Sequence, residues 1–284
     1  MVSRIPRWAA CLSVLLLGVC PPASMGERGH VVRLDHVPVA VRDLAEASAV
    51  YRAIGFSIKP GRHHSNGIRN AHAKFGDGSS IELITAGAAV DTLTARYLEF
   101  LDSGDGPAFL ALQAGSFDEL VDALRSGGYA FRRAGDVVEL RQPGLEYLFF
   151  VKGSRSPTDR PEHLSHRSGA AGLRAVRLAT DAGAELERLL VHLGGSSTRR
   201  DVWAPDSMTV PVVTLDQGEV VILPASHQVV AGRAVIGMSV RVSDVDAVRE
   251  QLSAAGIEAP VETGGPRRVL VPPRAAHGAW LEFR

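Results

Sequence analysis

His36 and Glu82 stand on two segments that read as strands, and together they are the strongest chemical signal in the chain. An imidazole and a carboxylate can ligate a divalent ion, or share and move a proton without one. His36 belongs to Leu34-Asp35-His36-Val37-Pro38-Val39-Ala40-Val41, where polar and apolar residues alternate. Glu82 belongs to Ile81-Glu82-Leu83-Ile84, just after the turn Gly76-Asp77-Gly78. A carboxylate turned inward among such neighbours is costly to bury without a partner, and His36 is the obvious one. The polar run between them holds His63, His64, Asn66, Asn70 and His72, with Arg62 and Arg69 able to attract an anion. Loops over a site mouth often carry ligand contacts, which makes His63, His64 and Asn70 candidate ligand-binding residues.

The elements that must position these groups recur four times from residue 31 onward. Each copy reads as an apolar strand, a helix cap, a helix closed by glycine, and three short strands. The caps are Asp43, Ser116, Asp181 and Asp244, with Glu119 and Glu46 placed for capping boxes. The closing glycines are Gly55, Gly128, Gly194 and Gly256. Apolar residues at helical spacing, such as Leu44, Ala47, Tyr51 and Ile54, or Leu186, Leu189, Leu190 and Leu193, give each helix a core face. The closing strands are expected at 79–85, 145–151, 219–224 and 279–284. The fold class is therefore α+β, four βαβββ modules forming two paired-module cups. Residues 31–153 form the first half and 173–284 the second. Residues 154–172, rich in Ser, Pro, Arg and His, read as a linker in which His163 and His166 are solvated. Trp203 and Trp280 read as packing residues, Trp203 also as an aromatic wall of the second cup.

The repeat resembles the vicinal oxygen chelate superfamily, the glyoxalase, bleomycin-resistance and extradiol-dioxygenase group. Module one, with Leu34-Asp35-His36-Val37, Gly61-Arg62-His63, Asn70 and Gly76-Asp77-Gly78 before Ile81-Glu82-Leu83-Ile84, is most similar to its glyoxalase-like domain branch. The resemblance implies paired modules curled into a cup that holds a divalent metal through His and Glu on first and last strands. Counting from the caps and turn glycines, the His36 position becomes Phe109, Arg174 and Gly237 in the later modules, and the Glu82 position becomes Leu148, Ile222 and Glu282. If modules one and two share a cup, two ligands face Phe109 and Leu148, with Gln113 an inward polar group. If modules one and four share it, Glu282 joins His36 and Glu82 to complete a three-ligand site with open positions.

Composition narrows the remaining classes. Thirty-one basic and 31 acidic residues leave no net charge and no electrostatic case for nucleic acid. Residues 1–26 read as an export signal: Arg4 and Arg7, an apolar run from Trp8 to Cys20, Pro21-Pro22, then Ser24 and Gly26 before a cut. Cys20 after Leu17-Gly18-Val19 offers a lipid anchor, and Met25 offers a cytoplasmic start instead. Both cysteines, Cys11 and Cys20, lie in this segment, which excludes disulfides and thiolate chemistry from the mature part. The expected function is a glyoxalase-like enzyme of lyase, isomerase or dioxygenase type acting on an oxygen-bearing small molecule, with His36 and Glu82 catalytic. The rival is a metal-free binding or sequestration protein. Four modules can form two cups within one chain, so either a monomer or a homodimer serves.

Overall fold

Local capping decides where the helices of this α+β chain begin and end. The computed structural model describes residues 31–203, 207–260 and 267–284. The export segment with Cys11, Cys20 and Met25 and the side chain of Trp203 lie outside the described residues. Module one comprises β1 (Val31–Ala40), α1 (Leu44–Ile54), β2 (Lys59–Pro60), β3 (Arg69–Lys74) and β4 (Ser80–Thr85). An inserted helix, α2 (Thr92–Asp102), and β5 (Gly106–Pro107) precede module two: β6 (Leu110–Ala114), α3 (Phe117–Ser126), β7 (Phe131–Ala134), β8 (Val137–Leu140) and β9 (Leu148–Val151). After the one-turn helix α4 (Pro161–Leu164), the third module has β10 (Gly172–Ala179), α5 (Gly183–His192), β11 (Ser196–Trp203), β12 (Ser207–Thr214) and β13 (Glu219–Leu223). The fourth has β14 (Val235–Arg241), α6 (Val245–Ala254), β15 (Val269–Val271) and β16 (Trp280–Phe283).

Asp43 caps α1 by accepting from the Ala45 and Glu46 amides, Ser116 caps α3 through the Glu119 amide, and Asp244 caps α6 through the Ala247 amide. Helix α5 departs from the pattern: its cap is Ala182, with no side-chain bond, and not Asp181. All four closing glycines take the left-handed conformation that the chain needs to leave a helix sharply, at φ 112°, 73°, 93° and 69°.

The sheets settle which modules pair. One runs β2-β3-β4-β1-β6-β9-β8-β7, with β5 beside β1, and the other β11-β12-β13-β10-β14-β16-β15. Modules one and two therefore share a sheet, as do three and four, and the one-with-four pairing is not formed. Helix-facing residues of both sheets and of α1, α3, α5 and α6 join one apolar core, containing Val37, Tyr51, Ile81, Leu110, Leu124, Leu189, Leu252 and Phe283. Phe56 stacks on Phe283 across the two halves, with centroids 5.8 Å apart. The opposite sheet faces form the cups, as period-2 alternation requires.

Residues 154–172 link the halves with much of the segment exposed, but His166 is not solvated. His166 is buried between Phe56 and Phe75, its Nδ1 accepting from the Ser57 amide at 2.9 Å and its Nε2 donating to the Lys74 carbonyl at 2.8 Å. His163 stays local, accepting from the Arg160 amide. Burial holds the His166 pKa below its ordinary value of 6.5, against the hydrogen bond to Lys74 that favours the charged form. The unfolded chain thus binds this proton more readily than the folded one. Stability from His166 is full above pH ~6.5 and is lost as pH falls through the lower folded value. Protection of the amides at 160–170, corrected for the intrinsic slowing of exchange in acid, is expected to fall on acidification below that pH, and a His166→Phe variant to lose this dependence.

Candidate active site

A β-bulge on β1 builds the floor of the first cup. Leu34 pairs with Leu112 of β6 and His36 with Ala111, so Asp35 is an extra residue on the β1 side. The bulge lets neighbouring side chains meet that a regular strand would send to opposite faces. Asp35 is only 1% exposed, and its Oδ1 lies 2.6 Å from His36 Nδ1. His36 Nε2 then faces Glu82 Oε2 at 3.6 Å, a separation for an ion pair or an intervening atom and too long for a direct hydrogen bond. Asn70 Nδ2 donates to the other Glu82 oxygen at 2.7 Å. Gly61 allows this, because a Cβ there would fall 1.9 Å from Asn70 Oδ1.

The charges follow from this geometry. Burial disfavours the imidazolium of His36, but the Asp35 hydrogen bond and the charges of Glu82 and Asp35 outweigh it and raise the pKa. Burial favours neutral Asp35, yet hydrogen bonds from His36 and Ser154 bring its pKa below the ordinary value. His72, opposite Glu82 across β3 and β4, is pushed down to about 4 by burial and is therefore neutral at pH 7. The floor thus carries one imidazole set up to hold a proton beside a carboxylate and a second set up to stay neutral.

A cavity of about 960 Å³ opens above this floor. Its wall from module two and α2 carries the apolar side chains Phe109, Phe149, Leu93 and Tyr97, with Arg96, Glu139 and Glu146 also in the lining. The opposite side is polar, with Lys59, Arg62, Lys74, Ser154, Arg155 and Thr158. Phe149 meets the His36 ring edge-on at 5.5 Å, and Phe109 meets Phe149 at 6.3 Å.

Of the residues singled out in the sequence, His36, Glu82, Asn70 and His64 line this one cavity. His63 is exposed beside it and is not part of the lining. Gln113 does not point into the cup: its Oε1 accepts from Arg33 Nε at 2.6 Å, and Arg33 continues to the Asp77 carbonyl and Gln217 of the other half. Glu282 lies in the second sheet, where Arg177, Arg268 and Arg284 surround its fully buried carboxylate at 3.0, 3.3 and 3.3 Å. Its expected place as a third metal ligand is therefore not realised. Two positional matches also shift. Leu148 packs in the helix-side core and Phe149 faces the cup, while Arg174 is exposed and Arg177 is buried. His72, part of the polar run read from the sequence, also lines the cavity, while Asp35, Lys74, Ser154 and α2 were missed as parts of the site. The Asp35-His36 dipeptide and the Asp91/Thr94 spacing before Tyr97 and Leu101 were the available signals.

A family model described as a glyoxalase-like domain matches residues 34–194, more than half of the chain. The chain belongs to the glyoxalase-like domain family. The match runs from the bulged strand through residues 154–172 into the third module. No curated protein sequence matches significantly. Among solved structures, a variant of 4-hydroxymandelate synthase from Streptomyces coelicolor is 17% identical with a TM-score of 0.59, over 89% of this chain and 92% of that one. A catechol 2,3-dioxygenase is 13% identical with a TM-score of 0.61, over 89% and 92%. A xylose isomerase-like TIM barrel/4-hydroxyphenylpyruvate dioxygenase fusion protein is 12% identical with a TM-score of 0.63 over 90% of this chain, which spans 49% of the length of that protein. At these identities the likeness is one of fold, in keeping with the vicinal oxygen chelate resemblance that the repeat of this glyoxalase-like chain carries.

The superfamily implies a divalent ion in such a cup, and the donors of this glyoxalase-like chain test that. His36 Nε2 and Glu82 are suitable donors, but module two brings Phe109 and Phe149 to the corresponding positions. Among the described residues no group of three or more His, Cys, Asp or Glu side chains is placed to hold a metal. The donor set does not fit an ion held by three protein ligands.

Proposed function

We propose that the first cup is the active site of a small-molecule enzyme that moves a proton on an oxygen-bearing substrate, by isomerase or lyase chemistry. The observation that carries this reading is His36 Nε2 facing Glu82 Oε2 at 3.6 Å while Asp35 holds Nδ1. A substrate oxygen or carbon acid placed between them meets a carboxylate able to accept a proton and an imidazole able to donate one. Asn70 orients Glu82 through its second oxygen. The aromatic side chains Phe109, Phe149 and Tyr97 exclude water beside the pair and strengthen these charges, while Arg62 and Arg155 favour a substrate with an anionic group. Dioxygenation, the activity named for three of the structural neighbours, calls for a redox-active ion, and among the described residues the two protein donors fall one short of such a centre.

The aromatic wall also supports a second reading, a protein that binds an amphipathic small molecule without changing it. The two separate on solvent deuterium exchange and turnover across a panel of hydroxy, oxo and lactone acids, measured for wild type and His36→Ala. An enzyme loses turnover in the variant; a binding protein gives no turnover in either and keeps its affinity.

A further inference from the structure

The segment between the halves does more than connect them. Residues 154–159 form a strap along the polar side of the cup, and its first residue reaches the floor. The Ser154 hydroxyl donates to Asp35 Oδ1 and lies 3.1 Å from His36 Nδ1. Asp35 Oδ1 therefore takes donors from both His36 and Ser154, while Oδ2 is buried with no partner among the described residues. A carboxylate so placed depends on each donor it has, since burial leaves no water to replace one.

The strap is itself pinned. Asp159 pairs with Lys59 at 2.5 Å and Lys74 at 3.3 Å and accepts from the Ser156 amide at 2.8 Å. Lys74 also donates to the Ser154 carbonyl. Both lysines project from strands β2 and β3 of module one, so the reactive floor and the anchor of the strap share one sheet.

We propose that Ser154 is a positioning residue for His36. With Asp35 it holds the proton on Nδ1 and turns Nε2 toward Glu82, and the pinned strap delivers it. This rests on His36 and Glu82 being the reactive pair. It assigns a role in the site to a segment outside the repeated modules.

The test is the side-chain ¹⁵N spectrum of His36 in the full chain, for wild type, Ser154→Ala, Ser154→Thr and Asp159→Asn, with amide exchange as a check on folding. Ser154→Ala is expected to shift the Nδ1 and Nε2 signals, and Ser154→Thr, which keeps the hydroxyl, to restore them. Asp159→Asn is expected to raise exchange at 154–159 and move His36 in the same direction as Ser154→Ala. Where turnover is measured, Ser154→Ala lowers kcat roughly 3–10-fold with KM little changed, the loss of one orienting hydrogen bond. Wild-type His36 signals in a folded Ser154→Ala protein would overturn the positioning role. Failure of the reactive pair shows differently, as turnover that survives His36→Ala.

Discussion

Glu82→Gln is expected to abolish most turnover while leaving the protein folded, with kcat falling roughly 10²–10⁴-fold and KM changing little. The substitution keeps the size of the side chain and an oxygen that can accept from Asn70 Nδ2. What it removes is the charge facing His36 Nε2 and the group that accepts a proton. The effect should exceed that of Ser154→Ala, because Glu82 meets the reacting atoms and Ser154 acts through Asp35 and His36. Combining Glu82→Gln with His36→Ala should cost little more than either alone, as groups acting in one proton transfer are not additive. Steady-state kinetics on the best substrate of the panel checks this. Turnover within a few-fold of wild type would remove Glu82 from the chemistry.

The second large effect concerns stability. Glu282→Ala is expected to destabilise the protein by roughly 3–5 kcal/mol, the usual cost of leaving buried charge unpaired. The carboxylate is fully buried and draws in Arg177, Arg268 and Arg284, with Ser239 donating to it as well. Burial opposes its ionised form, but the guanidinium charges and the Ser239 hydrogen bond win, and the pKa is lowered. Removing it takes away the carboxylate that three guanidinium groups share. Thermal unfolding should fall by roughly 6–20 °C for a chain of this size. An Arg177→Met, Glu282→Met double variant should recover part of the loss, since paired removal takes away the desolvation cost along with the attraction. A wild-type melting temperature for Glu282→Ala would contradict a structural role for this carboxylate.

Much of the fold was legible because its signals are local. Asp43, Ser116 and Asp244 act within one helical turn, and the closing glycines act at a single backbone position. The same holds for His36 and Glu82, each on a strand with clear turn residues nearby. Non-local pairing decided the rest. The bulge that brings Asp35 to His36 exists only in the register of β1 against β6. The shift from Leu148 to Phe149 is likewise a matter of register, with Ala111 opposite Phe149 where Pro38 lies opposite Glu82. Helix α2 carries its own capping box at Asp91 and Thr94, but its apolar face, with Tyr97 and Leu101, gains meaning only against Phe109 and Ile84 of the cup. His166 looked solvated because Ser, Pro and Arg surround it in the chain; its real neighbours, Phe56, Phe75 and Lys74, are about a hundred residues away.

Metal content bears most directly on a reactive pair that module one supplies without a third ligand. Wild-type protein would be purified without chelator, exposed in turn to Fe²⁺, Mn²⁺, Ni²⁺ and Zn²⁺, desalted and assayed beside Glu82→Ala. A two-donor floor predicts that wild type retains well under a stoichiometric amount of each ion and matches the variant. A stoichiometric ion held by wild type and lost in Glu82→Ala would contradict it, and would make His36 and Glu82 ligands of a metal centre.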